Sequence, residues 1–260
     1  MRIGAVVVGS VVGSASSRMS RMCLLLAALL AAGCSRGELF RQYEYEEESY
    51  LALDGSATVY VNTSVAALDA LRGASFDASP NATIGRDDVR SWFTTPVTRV
   101  TRRPNLSRRG GRRFVHVRLD VDDITRLSDA APFAWSSYSF TRDGDLVVYR
   151  QTVGPSAAKP VTDVGWKGTE TVAFRLHLPS DIVYFNARPE DHKRGNILVW
   201  EQSLADRLRG EPLVFDVRIA SQSIFSRTLL LFGATLVAVA MTFALVVWWV
   251  VRRGRTRGSV

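Results

Sequence analysis

The chain has 260 residues, of which 47% are hydrophobic and 10% aromatic, so a protein that is disordered throughout is excluded. Its formal charge of +8 does not indicate a nucleic-acid binder, because segment 35–226 holds 25 basic and 25 acidic residues. The excess charge lies on arginines that flank two hydrophobic segments, a pattern typical of membrane topology. We therefore expect membrane lipids and no nucleic acid among the partners.

The N-terminal segment has the pattern of a secretory signal. Arg18 and Arg21 precede the apolar stretch 23–32, and small residues follow up to Cys34. A charged region, a short apolar region and small residues before a cleavage point are the three parts of such a signal. An apolar stretch of about ten residues is too short to cross a bilayer. These features predict a lipoprotein-type signal peptide over residues 1–33.

The end of this segment resembles the bacterial lipobox, in which a small residue precedes a cysteine that becomes the lipidated first residue. The stretch 30–34 reads Leu-Ala-Ala-Gly-Cys, with Ala31 where leucine is usual. The resemblance implies lipidation of Cys34, and cleavage by an ordinary signal peptidase is the alternative. Met1 and Met19 are both candidate initiators.

The segment 34–226 is predicted to be one extracytoplasmic domain. Residues 35–226 contain no cysteine, which excludes a disulfide, a zinc–thiolate cluster and a thiol nucleophile within them. Ordinary core packing must therefore stabilise the domain, and its length is sufficient for that.

The domain opens with a predicted hairpin. Alternating apolar and polar residues over 43–61 indicate two strands joined near Asp54 and Gly55. A two-residue loop would pair buried positions with exposed ones, whereas a three-residue loop pairs Leu51 with Val59. We predict the three-residue loop because it keeps both apolar sets on one face.

The same alternation predicts the other strands, and capping residues predict the helices. The strands cover 114–121, 135–142, 146–153, 172–178, 182–185, 197–200 and 213–219. The helices cover 65–72 between Ser64 and Gly73, 86–93 before Pro96, a segment after Asp122, and a short segment between Ser203 and Gly210. Alternation of this kind favours antiparallel pairing with one buried face. The predicted fold class is α+β, with an antiparallel sheet or open barrel, a few short helices and one C-terminal transmembrane helix.

A cluster of arginines interrupts this pattern. No acidic residue occurs between Asp88 and Asp120, and the glycines at 110 and 111 indicate a turn. The cluster comprises Arg99, Arg102, Arg103, Arg108, Arg109, Arg112 and Arg113. We predict a basic hairpin tip at which all of these except Arg99 contact anionic headgroups. The alternative is a solvated loop whose arginines pair with glutamates of a neighbouring strand, namely Glu44, Glu46 and Glu48.

Catalytic and metal-binding motifs are absent from the sequence. His116 and His177 fall on predicted strand faces and His192 in a loop, without HxH or HExxH spacing. The aspartates of 120–123 lack the glycine and distal glutamate of an EF-hand, so we expect them to end a strand and cap a helix. No GxSxG, P-loop or GxGxxG motif occurs. We predict no catalytic residue, no metal and no cofactor.

Residues 228–251 form an uncharged run of 24 residues. As a helix it is about 36 Å long, enough to cross a hydrocarbon core of about 30 Å. The predicted interface anchors are Trp248, Trp249, Arg252 and Arg253. Four arginines follow the run in the tail 252–260 and only Arg227 immediately precedes it, so we expect the tail in the cytoplasm.

The whole arrangement resembles the bacterial envelope lipoproteins of the LppM-like type. The resemblance covers about residues 34–257 and is carried by the lipobox-like end, the stretches 43–48 and 53–62, the segment Ile197-Leu198-Val199-Trp200-Glu201 and the terminal helix. It implies an extracytoplasmic domain that binds lipid-like or glycolipid ligands, and it brings no catalytic residue.

These patterns predict a single-pass protein of the bacterial cytoplasmic membrane with a non-enzymatic domain outside the cytoplasm. The domain is expected to bind a lipid-like ligand or an envelope protein. One alternative is a structural or assembly component of an envelope complex without a small-molecule ligand, and a second is an uncharacterised hydrolase. An internal apolar cavity that opens toward the arginines would favour a lipid-like ligand.

Overall fold

The computed structural model describes residues 43–79, 81–186, 188, 191–222 and 224–256. The predicted signal peptide, Cys34, both candidate initiators and residues 257–260 of the basic tail lie outside the described residues.

Twelve strands and four α-helices occur in the described ranges. The strands are β1 Tyr45–Leu51, β2 Ala57–Ser64, β3 Arg99–Val100, β4 Asn105–Arg109, β5 Arg112–Val121, β6 Ser136–Asp143, β7 Leu146–Val153, β8 Thr171–His177, β9 Ile182–Phe185, β10 His192–Arg194, β11 Ile197–Ser203 and β12 Leu213–Ala220. The helices are α1 Val65–Arg72, α2 Arg86–Phe93, α3 Leu204–Leu208 and α4 Ile224–Thr256, with 3₁₀ helices at Ile124–Asp129 and Ala131–Phe133.

The strands form two open sheets. The larger sheet has eight strands in the order β10-β11-β8-β1-β2-β5-β3, with β4 also paired to β5. The smaller sheet has the order β6-β7-β12-β9. Neither sheet closes into a barrel, and the predicted α+β class with a few short helices is confirmed. His192 was expected in a loop and instead begins the edge strand β10.

One pairing runs against the antiparallel expectation. β1 and β8 pair in parallel in the middle of the larger sheet, with Glu48 opposite Arg175 and Tyr50 opposite His177. Alternation of apolar and polar residues reports which face of a strand is buried, and both strand directions produce it when one face is solvated.

The first hairpin has the predicted buried face but a different register. Leu51 pairs with Ala57 and Ser49 with Val59, so five residues rather than three lie between the strands. The Asp54 carboxylate accepts hydrogen bonds from both the backbone N–H and the hydroxyl of Ser56, which closes a tighter local turn inside the loop. The shift is two residues, and two is the period of a strand, so every side chain stays on its predicted face.

The core lies between the two sheets and beneath α1. Phe174 of β8 contacts Phe215 of β12 with ring centroids 5.5 Å apart, and Trp200 of β11 contacts the same ring at 4.3 Å. Helix α1 has its predicted bounds, because the Ser64 hydroxyl accepts from the backbone N–H of Ala67 and Gly73 adopts a left-handed conformation with φ of 73°. Seven of the eight residues of α1 are buried.

The strands of the two sheets begin and finish at the same two ends of the domain. At one end Arg142 of β6 donates to the Leu53 carbonyl after β1 at 3.0 Å. At that same end Ala220, the last residue of β12, donates to the Asp181 carbonyl at 3.0 Å, and α4 begins four residues later. We call this end of the domain the helix end. The opposite end, where β1 begins and β2 finishes, is the far end.

The C-terminal helix α4 contains a candidate membrane span. Its residues Thr228–Val250 have a mean hydropathy of 2.5 and are not buried against the protein. In the part of the chain that the structure describes, this is the one helix long and apolar enough to cross a membrane.

Candidate functional site

The arginine cluster forms a β-hairpin at the far end. Strands β4 and β5 pair around a turn of two glycines, with Arg108 opposite Arg113 and Arg109 opposite Arg112. Gly110 and Gly111 have φ values of 54° and 77°, a conformation that side chains other than glycine rarely adopt. We call residues 102–113 the arginine hairpin.

Like charges that face each other across a strand pair repel, and this hairpin is held by contacts of the two arginines that flank its turn. Arg112 forms an ion pair with Glu44 (Nε to Oε1, 3.0 Å), whose side chain is only 2% exposed. The Trp166 indole donates to the same carboxylate oxygen at 3.0 Å. Arg109 donates to the Tyr43 carbonyl at 2.6 Å and its guanidinium lies 4.0 Å from the centroid of the Phe114 ring. These two arginines therefore anchor the hairpin to the domain.

The other arginines of the hairpin differ in exposure. Arg102, Arg103 and Arg108 are exposed, and Arg113 is half-buried. Arg99, just before the hairpin, pairs with Asp122 through two short contacts of 2.6 and 2.7 Å. All six arginines predicted to contact headgroups therefore belong to one hairpin. Arg109 and Arg112 attach the hairpin to the domain, whereas Arg102, Arg103 and Arg108 are exposed to solvent. Headgroup contact itself stays a prediction for them.

Of the three glutamates expected to pair with the cluster, only Glu44 forms an ion pair with it. Glu46 pairs with Arg175 at 3.1 Å. Glu48 lies 2.5 Å from the His177 imidazole and accepts from the Tyr50 hydroxyl at 3.1 Å. The hydrogen bond with His177 lowers the pKa of Glu48.

These groups belong to the outer face of the larger sheet. His177 and Tyr50 stack with ring centroids 3.9 Å apart. The His116 ring forms hydrogen bonds with the Ser107 hydroxyl, 2.8 Å from Nε2, and with the Asn62 side-chain oxygen, 3.0 Å from Nδ1. Burial is the main cause that lowers the pKa of His116, and the positive charge of Arg109 lowers it further. The histidines do not belong to a metal site, because within the described ranges no group of three His, Cys, Asp or Glu side chains is placed to hold a metal ion. Asp123 caps the first 3₁₀ helix, as expected for this aspartate cluster.

A buried polar cluster lies between the sheets, and the sequence patterns did not predict it. The Arg72 guanidinium contacts both the Glu47 carboxylate and the Tyr45 hydroxyl, and it lies 4.0 Å from the centroid of the Trp135 ring. Gln151 donates to the other oxygen of Glu47 at 3.4 Å. One signal was present, because Glu47 is an acid at a position that alternation assigns to the buried face.

The space beside this cluster is small. Where the two inner faces meet, Glu47, Gln151, Phe174, Trp200 and Phe215 border a cavity of about 10 Å³. That volume admits about one water molecule and no acyl chain. The internal apolar cavity that would favour a lipid-like ligand is therefore not found at this position between the sheets.

The aromatic residues at the end of the membrane span pair with the following arginines. Arg252 lies 5.1 Å from the Trp248 ring centroid, and Arg253 lies 4.1 Å from that of Trp249. Both tryptophans are about half exposed, at 56% and 49%. Indole rings beside cations are typical of the boundary between hydrocarbon and headgroups.

The fold and the terminal helix define a class: an α+β domain followed by one candidate membrane span. No protein-family model matches the chain, and no curated protein matches its sequence. Among solved structures it is similar to the folded domain of the Mycobacterium tuberculosis protein LppM, determined by NMR, with 11% identity and a TM-score of 0.36. The match covers 70% of this chain and 92% of that one. The function proposed below rests on the residues of this chain alone.

Proposed function

We propose that the chain is a membrane-anchored, non-enzymatic binding protein whose arginine hairpin receives the anionic headgroup of a lipid-like ligand. The observation that carries this proposal is the hairpin itself, which exposes Arg102, Arg103 and Arg108 in a stretch without acidic residues. Guanidinium groups bind phosphate oxygens through paired hydrogen bonds, which suits them to such headgroups.

Rigid support favours binding over simple solvation. Glu44 holds Arg112 and the Tyr43 carbonyl holds Arg109, so the turn of the hairpin is attached at two points to the residues just before β1. Arg108 lies on this supported strand pair and therefore loses less conformational freedom on binding than the same side chain on a loose loop, while Arg102 and Arg103 lie in the segment that leads into β4. The ligand is expected to bind at the surface, where Arg102, Arg103 and Arg108 are exposed. The cavity of about 10 Å³ beside Glu47 is too small for an acyl chain.

The membrane placement follows from α4 and from charge. Its apolar residues are long enough to cross, and the arginine excess after the span supports a cytoplasmic C-terminus with the domain outside. Lipidation of Cys34 would add a second attachment. The non-enzymatic assignment rests on the sequence, in which we find no catalytic motif.

The test uses the full chain in nanodiscs of zwitterionic lipid and measures its capture of vesicles that contain or lack anionic phospholipid. The triple substitution Arg102→Ser, Arg103→Ser, Arg108→Ser should weaken capture of anionic vesicles roughly a hundredfold at low salt, since each basic residue near such a surface contributes about 1 kcal/mol. Inorganic phosphate as a competitor separates recognition of a phosphate group from recognition of the lipid surface.

A matched control removes the same charge elsewhere. Arg86, Arg90 and Arg126 are also exposed, and their replacement by serine should leave capture nearly unchanged. Equal losses in both triple variants, or capture that ignores lipid charge, would refute a binding role for the hairpin.

The alternative of an assembly component has one supporting observation, the open outer face of the larger sheet, where Tyr50 is 41% exposed. Native mass spectrometry of the purified chain distinguishes the two. A co-purifying lipid supports the proposed function, and a clean apo mass together with a bound envelope protein supports the alternative.

A further inference from the structure

At the helix end of the domain, residues 220–222, which lead into α4, form hydrogen bonds with two neighbouring connections. Ala220 donates to the Asp181 carbonyl at 3.0 Å, and Ser221 donates to the Asp145 carbonyl at 2.9 Å. The Ser180 hydroxyl donates to the Gln222 carbonyl. The chain between β8 and β9 therefore lies directly beside the start of the terminal helix.

An exposed apolar pair follows immediately on the edge strand β9. Val183 is 59% exposed and Tyr184 is 46% exposed, and they are adjacent in sequence. The pairing of β9 with β12 shifts by one residue here, because Tyr184 is opposite Arg218 and Ile182 is opposite Ile219. Val183 is the extra residue of this bulge. Bulges reorient side chains, and this one leaves two consecutive large side chains in solvent.

Two cations accompany the pair. The Arg218 guanidinium lies 5.2 Å from the Tyr184 ring centroid, and the Lys193 ammonium lies 5.9 Å from that of Phe185. Tyrosine with a neighbouring cation suits a layer that is apolar on one side and wet on the other. We call Val183, Tyr184, Arg218 and Lys193 the β9 patch.

The connection to α4 keeps this patch near the membrane. Residues 221–223 separate Ala220 from α4, and four helical residues precede Thr228. At about 3.5 Å per extended residue and about 1.5 Å per helical residue, Thr228 lies within about 20 Å of Ala220. Ile182, the first residue of β9, pairs with Ile219, so the patch shares this short tether.

From these observations we propose that the β9 patch docks onto the bilayer that α4 crosses, with Val183 and Tyr184 in its interfacial layer and Arg218 and Lys193 at headgroup level. This proposal rests on the membrane anchoring described above and not on the arginine hairpin. Asp143, Asp145 and Asp181 lie at the same end of the domain and offset Arg218, Lys193 and Arg142. Docking therefore depends on the apolar and aromatic groups and is insensitive to salt and to lipid charge.

The experiment places a single nitroxide label on the full chain in zwitterionic nanodiscs, after Cys23→Ser and Cys34→Ser. Paramagnetic relaxation by oxygen, which enriches in lipid, is compared with relaxation by a water-soluble nickel complex. A label at Val183→Cys should show a several-fold higher oxygen-to-nickel ratio than a label at Val214→Cys. Val214 is the matched control, because it is 45% exposed at the far end of β12.

Each outcome separates the two proposals. A label at Leu236→Cys in α4 must report lipid, and an aqueous signal there would refute the anchoring itself. A lipid signal at 236 with equal aqueous signals at 183 and 214 overturns only the docking of the β9 patch. If high salt lowers the oxygen-to-nickel ratio at position 183 to that at position 214, docking does not depend on the apolar groups, because salt weakens contacts between charges.

Discussion

At the residue scale, Glu47 and Arg72 show how a buried ion pair is accommodated in this core. Their side chains are 1% and 2% exposed. Burial raises the pKa of Glu47 and lowers the pKa of Arg72. Burial thus disfavours either charge alone, and direct contact between the two groups offsets that cost. Tyr45 and Gln151 satisfy further hydrogen-bonding positions of the pair.

The pair should therefore behave as a unit on mutation. Arg72→Met leaves a buried carboxylate without its cation, and we expect it to destabilise the domain by about 3–5 kcal/mol. The double variant with Glu47→Met should be destabilised much less than the sum of the two single variants, because no charge is then left unpaired. Thermal unfolding of the full chain in detergent, followed by circular dichroism, measures all three.

A surface pair provides the comparison. Arg150 and Asp216 lie 3.3 Å apart on the outer face of the smaller sheet, with exposures of 57% and 25%. A double-mutant cycle at Arg150 and Asp216 should give a coupling free energy of about 0–1 kcal/mol. Additive effects at Glu47 and Arg72 would contradict the interpretation of the buried pair.

At the element scale, polar side chains connect the parallel strands β1 and β8 across their outer face. Glu46 pairs with Arg175, and Glu48 with His177. Neighbouring strands that belong to distant parts of the sequence need such cross-strand contacts as well as backbone hydrogen bonds. These two side-chain contacts therefore help to set the position of β8 beside β1.

This contact should make stability depend on pH in the acidic range. The folded state lowers the pKa of Glu48 from its usual 4.5, so the ionised group stabilises the fold above that value. The contribution is lost as the pH falls below 4.5 and through the lowered pKa. Glu48→Gln should thus reduce stability by about 1 kcal/mol at neutral pH, and the difference should vanish in acid.

Unfolding of both chains between pH 3 and pH 7 measures this difference. Glu211→Gln serves as the control, since Glu211 is an exposed carboxylate outside the paired strands. A deficit in the Glu48 variant that persists unchanged at the lowest pH would show that its cause is not the ionised carboxylate.

At the scale of the whole molecule, the two predicted contact surfaces lie at opposite ends. The β9 patch is at the helix end and the arginine hairpin at the far end. Strand β2 has eight residues, which corresponds to about 26 Å at about 3.3 Å per residue. A domain docked through the β9 patch could therefore leave the hairpin available to a ligand beyond the leaflet in which α4 is anchored.

The orientation of the chain should depend on the arginines after α4. A periplasmic phosphatase fused after Val260 should be inactive in the wild-type chain, because the positive tail stays in the cytoplasm. Replacement of Arg252, Arg253, Arg255 and Arg257 by serine should raise phosphatase activity several-fold by allowing inverted insertion.

A control with serine at Arg86, Arg90, Arg126 and Arg150, which lie far from the span in sequence, should leave the fusion inactive. High activity of the wild-type fusion would contradict the proposed orientation, and with it the placement of the domain outside the cytoplasm.

Much of the local structure was predictable from sequence. Helix α1 has the predicted bounds because Ser64 and Gly73 act within a few residues of the helix they cap. The hairpin around Gly144 formed as expected, since its turn and alternation are also local. The predicted basic hairpin likewise follows from the two glycines and the flanking strand pattern.

The sequence by itself determined the one-sided strands, the short helices, the apolar span and the concentration of arginines, because each depends on residues close together in the chain. Only the tertiary structure decided that β8 runs parallel to β1, that Glu44 reaches the hairpin while Glu46 and Glu48 do not, and that Glu47 meets Arg72 in the core. These outcomes depend on which distant segments become neighbours, and alternation reports the buried face of a strand without naming its partner.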